Sequence, residues 1–183
     1  INAGNDTTVC RGSSMVIYST GTNINTYNWT GTGLTGATSA TPTITPTNTN
    51  TTYSVTVTSI NGCTNSDYLQ VYSPQTFANA GVASYNSCLG AYVQLAGTGS
   101  AGGGPVIYSW APAASVSNPV INNPIVTPGA TTMYTLTVTE TNNNCIAKDS
   151  INIILGPIAV SAPDISVTCG SSGNITATST GTY

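Results

Sequence analysis

The chain has very few charged side chains and no histidine. Charged residues make up 4% of its 183 residues, against roughly 25% in an average soluble domain. The basic residues are Arg11 and Lys148 alone. Because nucleic-acid binding needs clustered cations to displace counterions from phosphates, we expect no nucleic-acid partner. The lack of histidine also excludes histidine-based catalytic triads and histidine metal sites.

The sequence also lacks a long apolar run, although 39% of its residues are hydrophobic. A membrane-spanning helix needs roughly 20 predominantly apolar residues. The longest candidate begins at Ile151 and is interrupted by Asn152, Gly156 and Pro157, so we expect no membrane insertion. Surface polarity must come instead from Thr, Ser and Asn, which favour strands and turns over helices.

Five cysteines in so polar a chain indicate an oxidising, extracellular setting, where disulfides persist. No signal peptide is visible in the sequence, and Ile1 is not an initiator residue. The sequence therefore favours a piece cut from a longer secreted chain.

Several different residues and short motifs occur twice along the chain, in the same order and at nearly the same spacing. The matched pairs are Cys10 and Cys88, Tyr27-Asn28-Trp29 and Tyr108-Ser109-Trp110, Tyr53 and Tyr134, and Cys63 and Cys145. Their offsets are 78, 81, 81 and 82 residues, and Cys169 follows Cys88 by a further 81. Such a period indicates tandem modules. We place a first module at 1–74, a second at 75–156 and the N-terminal strands of a truncated third at 157–183.

Alternation of apolar and polar residues predicts about seven short strands in each module and no helix. In the run Tyr53–Thr58 and its copy Tyr134–Thr139, the apolar side chains should face a core and the threonines should form a solvated strand face. We predict an all-β fold of tandem Greek-key sandwiches. Four aromatic side chains should lie in the cores: Trp29, Trp110, Tyr53 and Tyr134.

Nearly the whole chain resembles the PKD-like and immunoglobulin-like repeats of Bacteroidetes-type cell-surface proteins. The resemblance rests on AGNDTTVCRGSSMVIYST at 3–20, on YNWTGTGLTGATSATPTITPTNTNTTYSVTVTSINGCTNSDYLQV at 27–71, and on the second copy at 110–139. These Bacteroidetes-type cell-surface proteins include very large gliding adhesins and other type IX-secreted proteins. The acidic segment that PKD domains carry after Tyr-x-Trp is replaced by Thr-Gly-Thr-Gly after Trp29 and by Ala-Pro-Ala-Ala after Trp110.

The cysteines allow two pairings. Pairing within modules would join Cys10 to Cys63 and Cys88 to Cys145. In an immunoglobulin-like Greek key, however, Cys10 should lie at the far end of its module and Cys63 at the linker end. Six-residue strands span about 20 Å, while the Cα atoms of a disulfide lie within about 7 Å. The alternative is a bridge between modules, Cys10 to Cys145, with Cys63, Cys88 and Cys169 paired to neighbouring modules.

Other candidate sites are weaker. Thr7 and Ser150 resemble acceptors in the Asp-(Ser/Thr)-apolar motif of O-glycosylation associated with the same bacterial group. Tyr68 and Tyr72 should face outward on one strand, where they could contact a ligand. Glu140 and Asp149 flank a turn and are interpreted as two solvated acids. We expect no catalytic residue, no metal site and no cofactor.

These observations favour a non-catalytic repeat region of a secreted bacterial surface protein that forms an adhesin stalk or extracellular filament. The alternative is a set of carbohydrate-binding accessory modules of a secreted hydrolase. The expected partners are neighbouring modules of the same chain, identical subunits in a filament, and a polysaccharide or a host or solid surface. The expected location is the bacterial cell surface.

Overall fold

The computed structural model describes residues 1–156, and the predicted third segment at 157–183, with Cys169, lies outside the described residues. Within 1–156 the regular structure consists of β-strands and one 3-10 turn, Ala113–Ser115. The predicted all-β class is therefore confirmed. The strands form two successive sets, one before and one after the segment 73–75.

The first set contains seven strands in two sheets. The strands are β1 (Thr7–Thr8), β2 (Met15–Val16), β3 (Ile24–Thr30), β4 (Leu34–Thr35), β5 (Thr43–Ile44), β6 (Asn50–Ser59) and β7 (Thr64–Tyr72). One sheet has the order β1-β7-β6-β3, and the other has the order β2-β5-β4. The first strand, β1, runs parallel to β7, whereas β6 pairs antiparallel with both β3 and β7. This is the arrangement of an immunoglobulin-like sandwich.

The second set repeats the arrangement. Its strands are β8 (Thr76–Asn79), β9 (Ser84–Cys88), β10 (Val93–Gln94), β11 (Thr98–Ala101), β12 (Val106–Ala111), β13 (Ile125–Val126), β14 (Thr132–Glu140) and β15 (Ile146–Gly156). The sheet β12-β14-β15-β9 matches β3-β6-β7-β1, again with one parallel pair, β15 with β9. The facing strands are β10 paired with β13, and β8 paired with β11.

Each set of strands encloses its own apolar core. Trp29 and Tyr53 lie in one cluster of buried side chains, while Trp110 and Tyr134 lie in another. The two tryptophans are only 2% and 1% exposed, and each indole N–H donates to a backbone carbonyl of the connection that follows its strand. Burial of so large an apolar side chain is a main stabilising contribution in a small sandwich.

The long strands β6 and β14 follow the period of two that the sequence indicated. Tyr53, Val55 and Val57 are buried in β6, as are Tyr134, Leu136 and Val138 in β14. The intervening threonines point to the opposite face, where they are half-buried or exposed. Alternation therefore places the apolar side chains of both strands in the cores.

A repeated turn begins each module. In the first, the backbone N–H of Gly4 donates to the side chain of Asn2, and the N–H of Ala3 donates to Asp67 Oδ2 at 2.8 Å. In the second, Gly81 donates to Asn79, and Ala80 donates to Asp149 Oδ2 at 2.8 Å. The recurrence of Asn-Ala-Gly thus reflects an Asx turn that is anchored by an aspartate on the last strand of the same module.

The two copies of the short strand differ in register. At the offset of 81 residues that relates Trp29 to Trp110, Ile125 is the counterpart of the fully buried Ile44, but Ile125 is 41% exposed and Val126 is fully buried. The pairing explains the shift, because Ile44 lies opposite Met15 whereas Val126 lies opposite Val93.

One residue departs from the expectation from sequence. Glu140 is completely buried rather than solvated.

Candidate functional site at the junction of the modules

A disulfide joins the two modules in the structure. It links Cys10 to Cys145 with a Cα–Cα distance of 5.4 Å and a sequence separation of 135 residues. Of the two pairings that the sequence left open, this is the one between modules. Cys63 and Cys88 are exposed and free in the part of the chain that the structure describes.

Strand direction explains why these two cysteines meet. Cys10 follows β1, whose partner residue Tyr72 ends the last strand of the first module, so Cys10 lies at the end from which the chain leaves. Cys145 lies between β14 and β15, next to the Thr139–Ile146 pair. This turn is at the end of the second module where the chain enters, because β8 begins there and Thr76 donates to the carbonyl of Cys145.

Arg11 adds a polar clamp beside the disulfide. Its guanidinium donates to Gln75 Oε1 at 2.6 Å, to the hydroxyl of Thr49 and to the carbonyl of Ser73 at 3.3 Å. Its own backbone N–H donates to the carbonyl of Pro74 at 3.2 Å. One cationic side chain therefore ties the first module to the linker, and hydrogen bonds from a charged donor are stronger than neutral ones.

A glycine-rich loop of the second module completes the contact. The hydroxyl of Tyr72 donates to the carbonyl of Gly102 at 2.6 Å, and the N–H of Gly102 donates to the carbonyl of Gln75 at 3.1 Å. A Cβ at Gly103 would come within 3.2 Å of Pro74 and 3.3 Å of the Glu140 carboxyl carbon. This close approach explains why the loop has glycine at position 103, where any side chain would crowd Pro74 and Glu140.

Glu140 lies beneath this loop as a buried carboxylate. It accepts the backbone N–H of Asn142 at 2.7 Å on Oε1 and that of Asn143 at 2.8 Å on Oε2. Burial acts to raise the pKa of Glu140, but the two N–H donors and the Asn143 side chain together hold the pKa below its ordinary value. The carboxylate therefore organises the turn that carries Cys145, whose carbonyl accepts the N–H of Glu140. The interpretation of this acid as solvated is wrong.

A shallow groove of about 380 Å³ runs beside the clamp. Its lining includes Arg11, Thr49, Gln75, Phe77 and Ser100, and Phe77 is 54% exposed. The groove therefore combines an accessible aromatic face with hydroxyl, amide and guanidinium groups.

The remaining candidate residues are scattered. Thr7 in β1 and Ser150 in β15 are both half-buried within strands, and nothing brings them together. Tyr68 is 57% exposed, whereas Tyr72 is half-buried and held at the junction by its hydroxyl. Asp149 is half-buried and bonded to Ala80, so it too is not simply solvated. Trp29 and Trp110 are inaccessible to any ligand.

Most of the junction beyond the cysteines was not predicted from sequence. Gln75 and the loop Gly102–Gly104 were not identified, and neither Arg11 nor Glu140 was assigned a role at the junction. One signal was present: Arg11 directly follows a cysteine and is one of only two basic residues in the chain. Glu140 gave a second, because it continues the buried positions of β14 at a spacing of two.

Within residues 1–156, no cluster of three or more histidine, cysteine, aspartate or glutamate side chains has the grouping of a metal site. No helix in the same residues has the length and apolar character to cross a membrane.

No family model matches the chain, and neither does any curated protein. Solved structures with a similar course include the insect immune protein hemolin, with 11% identity over 84% of this chain and 46% of that chain and a TM-score of 0.46. Three N-terminal domains of the outer capsid protein Hoc of bacteriophage RB49 give 17% identity over 80% and 55%, with a TM-score of 0.40. The first two immunoglobulin domains of DIP-gamma give 8% identity over 82% and 93%, with a TM-score of 0.40.

The chain spans about half the length of the first two of these proteins. Because all three scores are below 0.5, we base no functional argument on these likenesses. The immunoglobulin-like assignment follows from the strand order and the two separate cores.

Proposed function

We propose that the chain is a non-catalytic, load-bearing repeat region of a secreted bacterial surface protein, part of an adhesin stalk. The observation that carries this proposal is the disulfide between Cys10 and Cys145, which joins two immunoglobulin-like modules with separate cores. The disulfide also agrees with an oxidising, extracellular location. The assignment to a bacterial surface rests on the resemblance to Bacteroidetes-type repeats.

In the proposed mechanism, tension passes through the disulfide and not along the chain between Cys10 and Cys145. A pulling force that enters near Ile1 reaches Cys10, crosses the disulfide to Cys145, and continues along β15. The strands from β2 to β14 all lie inside the closed loop and carry no tension along the chain while the bond is intact. With a separation of 135 residues, the loop hides roughly 450 Å of extended chain at about 3.3–3.6 Å per residue.

Single-molecule pulling on the 183-residue chain, tethered at its two ends, tests this mechanism. Under oxidising conditions we expect no unfolding events that release the hidden length. After reduction, or in a Cys10→Ser/Cys145→Ser variant, we expect module unfolding that releases roughly 450 Å in total.

The matched control is Cys63→Ser, which removes an exposed thiol that takes no part in the disulfide. This variant should leave the force–extension trace unchanged. Full release of the hidden length from the oxidised, unmodified chain would contradict the load-bearing role.

A second candidate function is carbohydrate binding, and the groove beside Arg11 favours it. An exposed aromatic ring such as Phe77 offers a face on which a sugar can stack, and Gln75 and Thr49 offer hydrogen-bonding groups next to it. A glycan array separates the two candidates. Binding that is lost on Phe77→Ala but retained by Tyr68→Ala would support this candidate, whereas no binding by the unmodified chain would exclude it.

A further inference from the structure

The two free cysteines occupy the same repeat positions as the bonded pair. Cys88 corresponds to Cys10: Cys10 follows β1 and Cys88 ends β9, and each of these strands runs parallel to the last strand of its module. Each carbonyl accepts a backbone N–H from three residues later, Ser13 at 2.9 Å and Ala91 at 3.1 Å. Each turn also contains a glycine with a left-handed backbone, Gly12 at φ 78° and Gly90 at φ 80°. The turn at Cys88 therefore has the conformation that presents Cys10 to its partner.

Cys63 corresponds in the same way to Cys145. The carbonyl of Cys63 accepts the N–H of Ser59 at 2.8 Å, as that of Cys145 accepts the N–H of Glu140 at 2.8 Å. Each cysteine follows a residue with a left-handed backbone, Gly62 in one turn and Asn144 in the other. The exposed thiol of Cys63 therefore lies in a turn that resembles the turn through which Cys145 bonds to Cys10.

The two free thiols lie at opposite ends of the pair of modules. Cys63 adjoins the Thr58–Thr64 pair, at the end of the β6–β7 ladder away from the junction. Cys88 adjoins Gly156, at the end of β15 away from the junction. One end of the pair of modules therefore carries a thiol at the repeat position of Cys10, and the other end carries a thiol at the repeat position of Cys145.

Aliphatic side chains lie beside both free thiols. At the junction, Arg11 lies in a groove with the polar residues Thr49 and Gln75. In the turn at Cys88 the residue at the position of Arg11 is Leu89, which is 64% exposed. The groove of about 370 Å³ at Cys63 has a mostly polar lining, but Ile1, Ile24 and Val57 also line it and offer aliphatic contacts to a leucine.

We propose that Cys88 of one copy of this chain bonds to Cys63 of a second copy, so that copies join head to tail through a disulfide at the repeat positions of Cys10 and Cys145. The inference deepens the proposed stalk function and rests on it by naming the partner. A head-to-tail contact does not close on itself, so repetition builds an open linear polymer.

Bond formation needs a two-electron oxidant, and a small disulfide such as oxidised glutathione supplies it. The Cys63 and Cys88 thiols lose two protons and two electrons as the new S–S bond forms. The small disulfide accepts both and leaves as two free thiols.

The test mixes two versions of the 183-residue chain, both carrying Cys169→Ser so that this cysteine cannot compete. One version also carries Cys63→Ser and so presents only Cys88, while the other carries Cys88→Ser and presents only Cys63. In a glutathione redox buffer we expect the mixed dimer to exceed either homodimer by about tenfold, which is about fivefold above random pairing and equivalent to about 1 kcal/mol. Peptide mapping without reduction should recover the Cys63–Cys88 linkage with Cys10–Cys145 intact.

Leu89→Asp places a carboxylate opposite the aliphatic side chains of the Cys63 groove and should reduce the mixed dimer several-fold, without affecting folding because Leu89 is exposed. Val120→Asp makes the same change at another exposed site and should not. Random pairing, in which the mixed dimer exceeds each homodimer by only about twofold, would overturn the proposal, as would failure to form dimers. Either failure would leave the pulling experiment unaffected, because that experiment depends on Cys10 and Cys145 alone.

Discussion

The turns that carry Cys63 and Cys145 occupy the same place in their modules, but the turn of Cys145 is one residue longer and the residue before the turn differs. Ser59 precedes the turn of Cys63, and its hydroxyl accepts the N–H of Cys63 at 3.2 Å near solvent. Glu140 holds the equivalent position before Cys145 and is completely buried beneath Gly103. A hydroxyl suffices where the turn faces outward. Where the turn is covered by a neighbouring loop, a carboxylate satisfies two N–H groups at once.

The turns that carry Cys10 and Cys88 differ in a similar way. Both have the same glycine conformation, but the Arg11 side chain donates to Thr49 and Ser73 of its own module and to Gln75 of the next, while Leu89 is exposed. The two modules are thus alike where each holds its own sandwich together and unlike where they meet. Differences between copies of a repeat therefore mark the interface more sharply than their similarities do.

The largest expected effect comes from removing the disulfide between Cys10 and Cys145. In the chain-entropy model a closed loop of 135 residues contributes roughly 5 kcal/mol to the free energy of unfolding. We expect Cys10→Ser/Cys145→Ser to lose most of this free energy and to let the two cores unfold in separate transitions. Urea denaturation followed by tryptophan fluorescence measures both changes, since each core holds one tryptophan.

The matched control for this change is Cys63→Ser, because Cys63 holds the repeat position of Cys145 without a partner in residues 1–156. It should shift the unfolding free energy by less than about 0.5 kcal/mol. An equal loss from both variants would show that the cysteines act through their side-chain volume and not through the bond.

The next largest effect concerns the buried carboxylate. Because the folded-state pKa of Glu140 lies below its ordinary value near 4.5, its stabilising contribution is present above that value and is lost as pH falls through the lowered pKa. Glu140→Gln should therefore lower the thermal unfolding midpoint of the second module at neutral pH by several degrees, and should remove part of the acid sensitivity below about pH 4.5. Fluorescence of Trp110 in a Trp29→Phe background follows that module alone.

Ser59→Ala is the corresponding change in the first module and should cost much less, with no change in the acid profile. That module has its own acid-sensitive group in Asp67, whose pKa is lowered mainly by the backbone N–H of Ala3. If Glu140→Gln leaves the acid profile of the second module unchanged, the carboxylate is not the group that responds to pH there.

Patterns local to one strand were the part of the fold that the sequence could predict. The period of two in β6 and β14 placed Tyr53 and Tyr134 correctly, and the spacing of landmarks indicated two similar modules. The covering of Glu140 and the contact of Arg11 with Gln75 could not be predicted from such patterns, because they depend on a loop and a linker that are remote in sequence. Alternation places a side chain on one face of a strand, but it says nothing about what covers the end of that strand.

A smaller effect is expected when the first module is given the residue of the second. Arg11→Leu removes the hydrogen bonds to Thr49, Ser73 and Gln75 and should weaken the junction by about 1–2 kcal/mol. Lys148→Leu makes the same chemical change at an exposed position on β15 and should have little effect. A double-mutant cycle of Arg11→Leu with Gln75→Ala measures the coupling free energy, and a coupling near zero would contradict the clamp.

The smallest effect should come from the threonine rows. Thr56 and Thr137 hold the same position in β6 and β14, and both point away from their cores. The hydroxyl of Thr56 is 2.9 Å from that of Ser66, while Thr137 lies opposite Lys148. Thr56→Val and Thr137→Val should each change the free energy of unfolding by less than about 0.5 kcal/mol, because a half-buried strand position that faces away from the core tolerates either residue. The hydroxyl pair should make the first change slightly more costly, and a loss well above 1 kcal/mol at either site would show that the rows do more than cover a strand face.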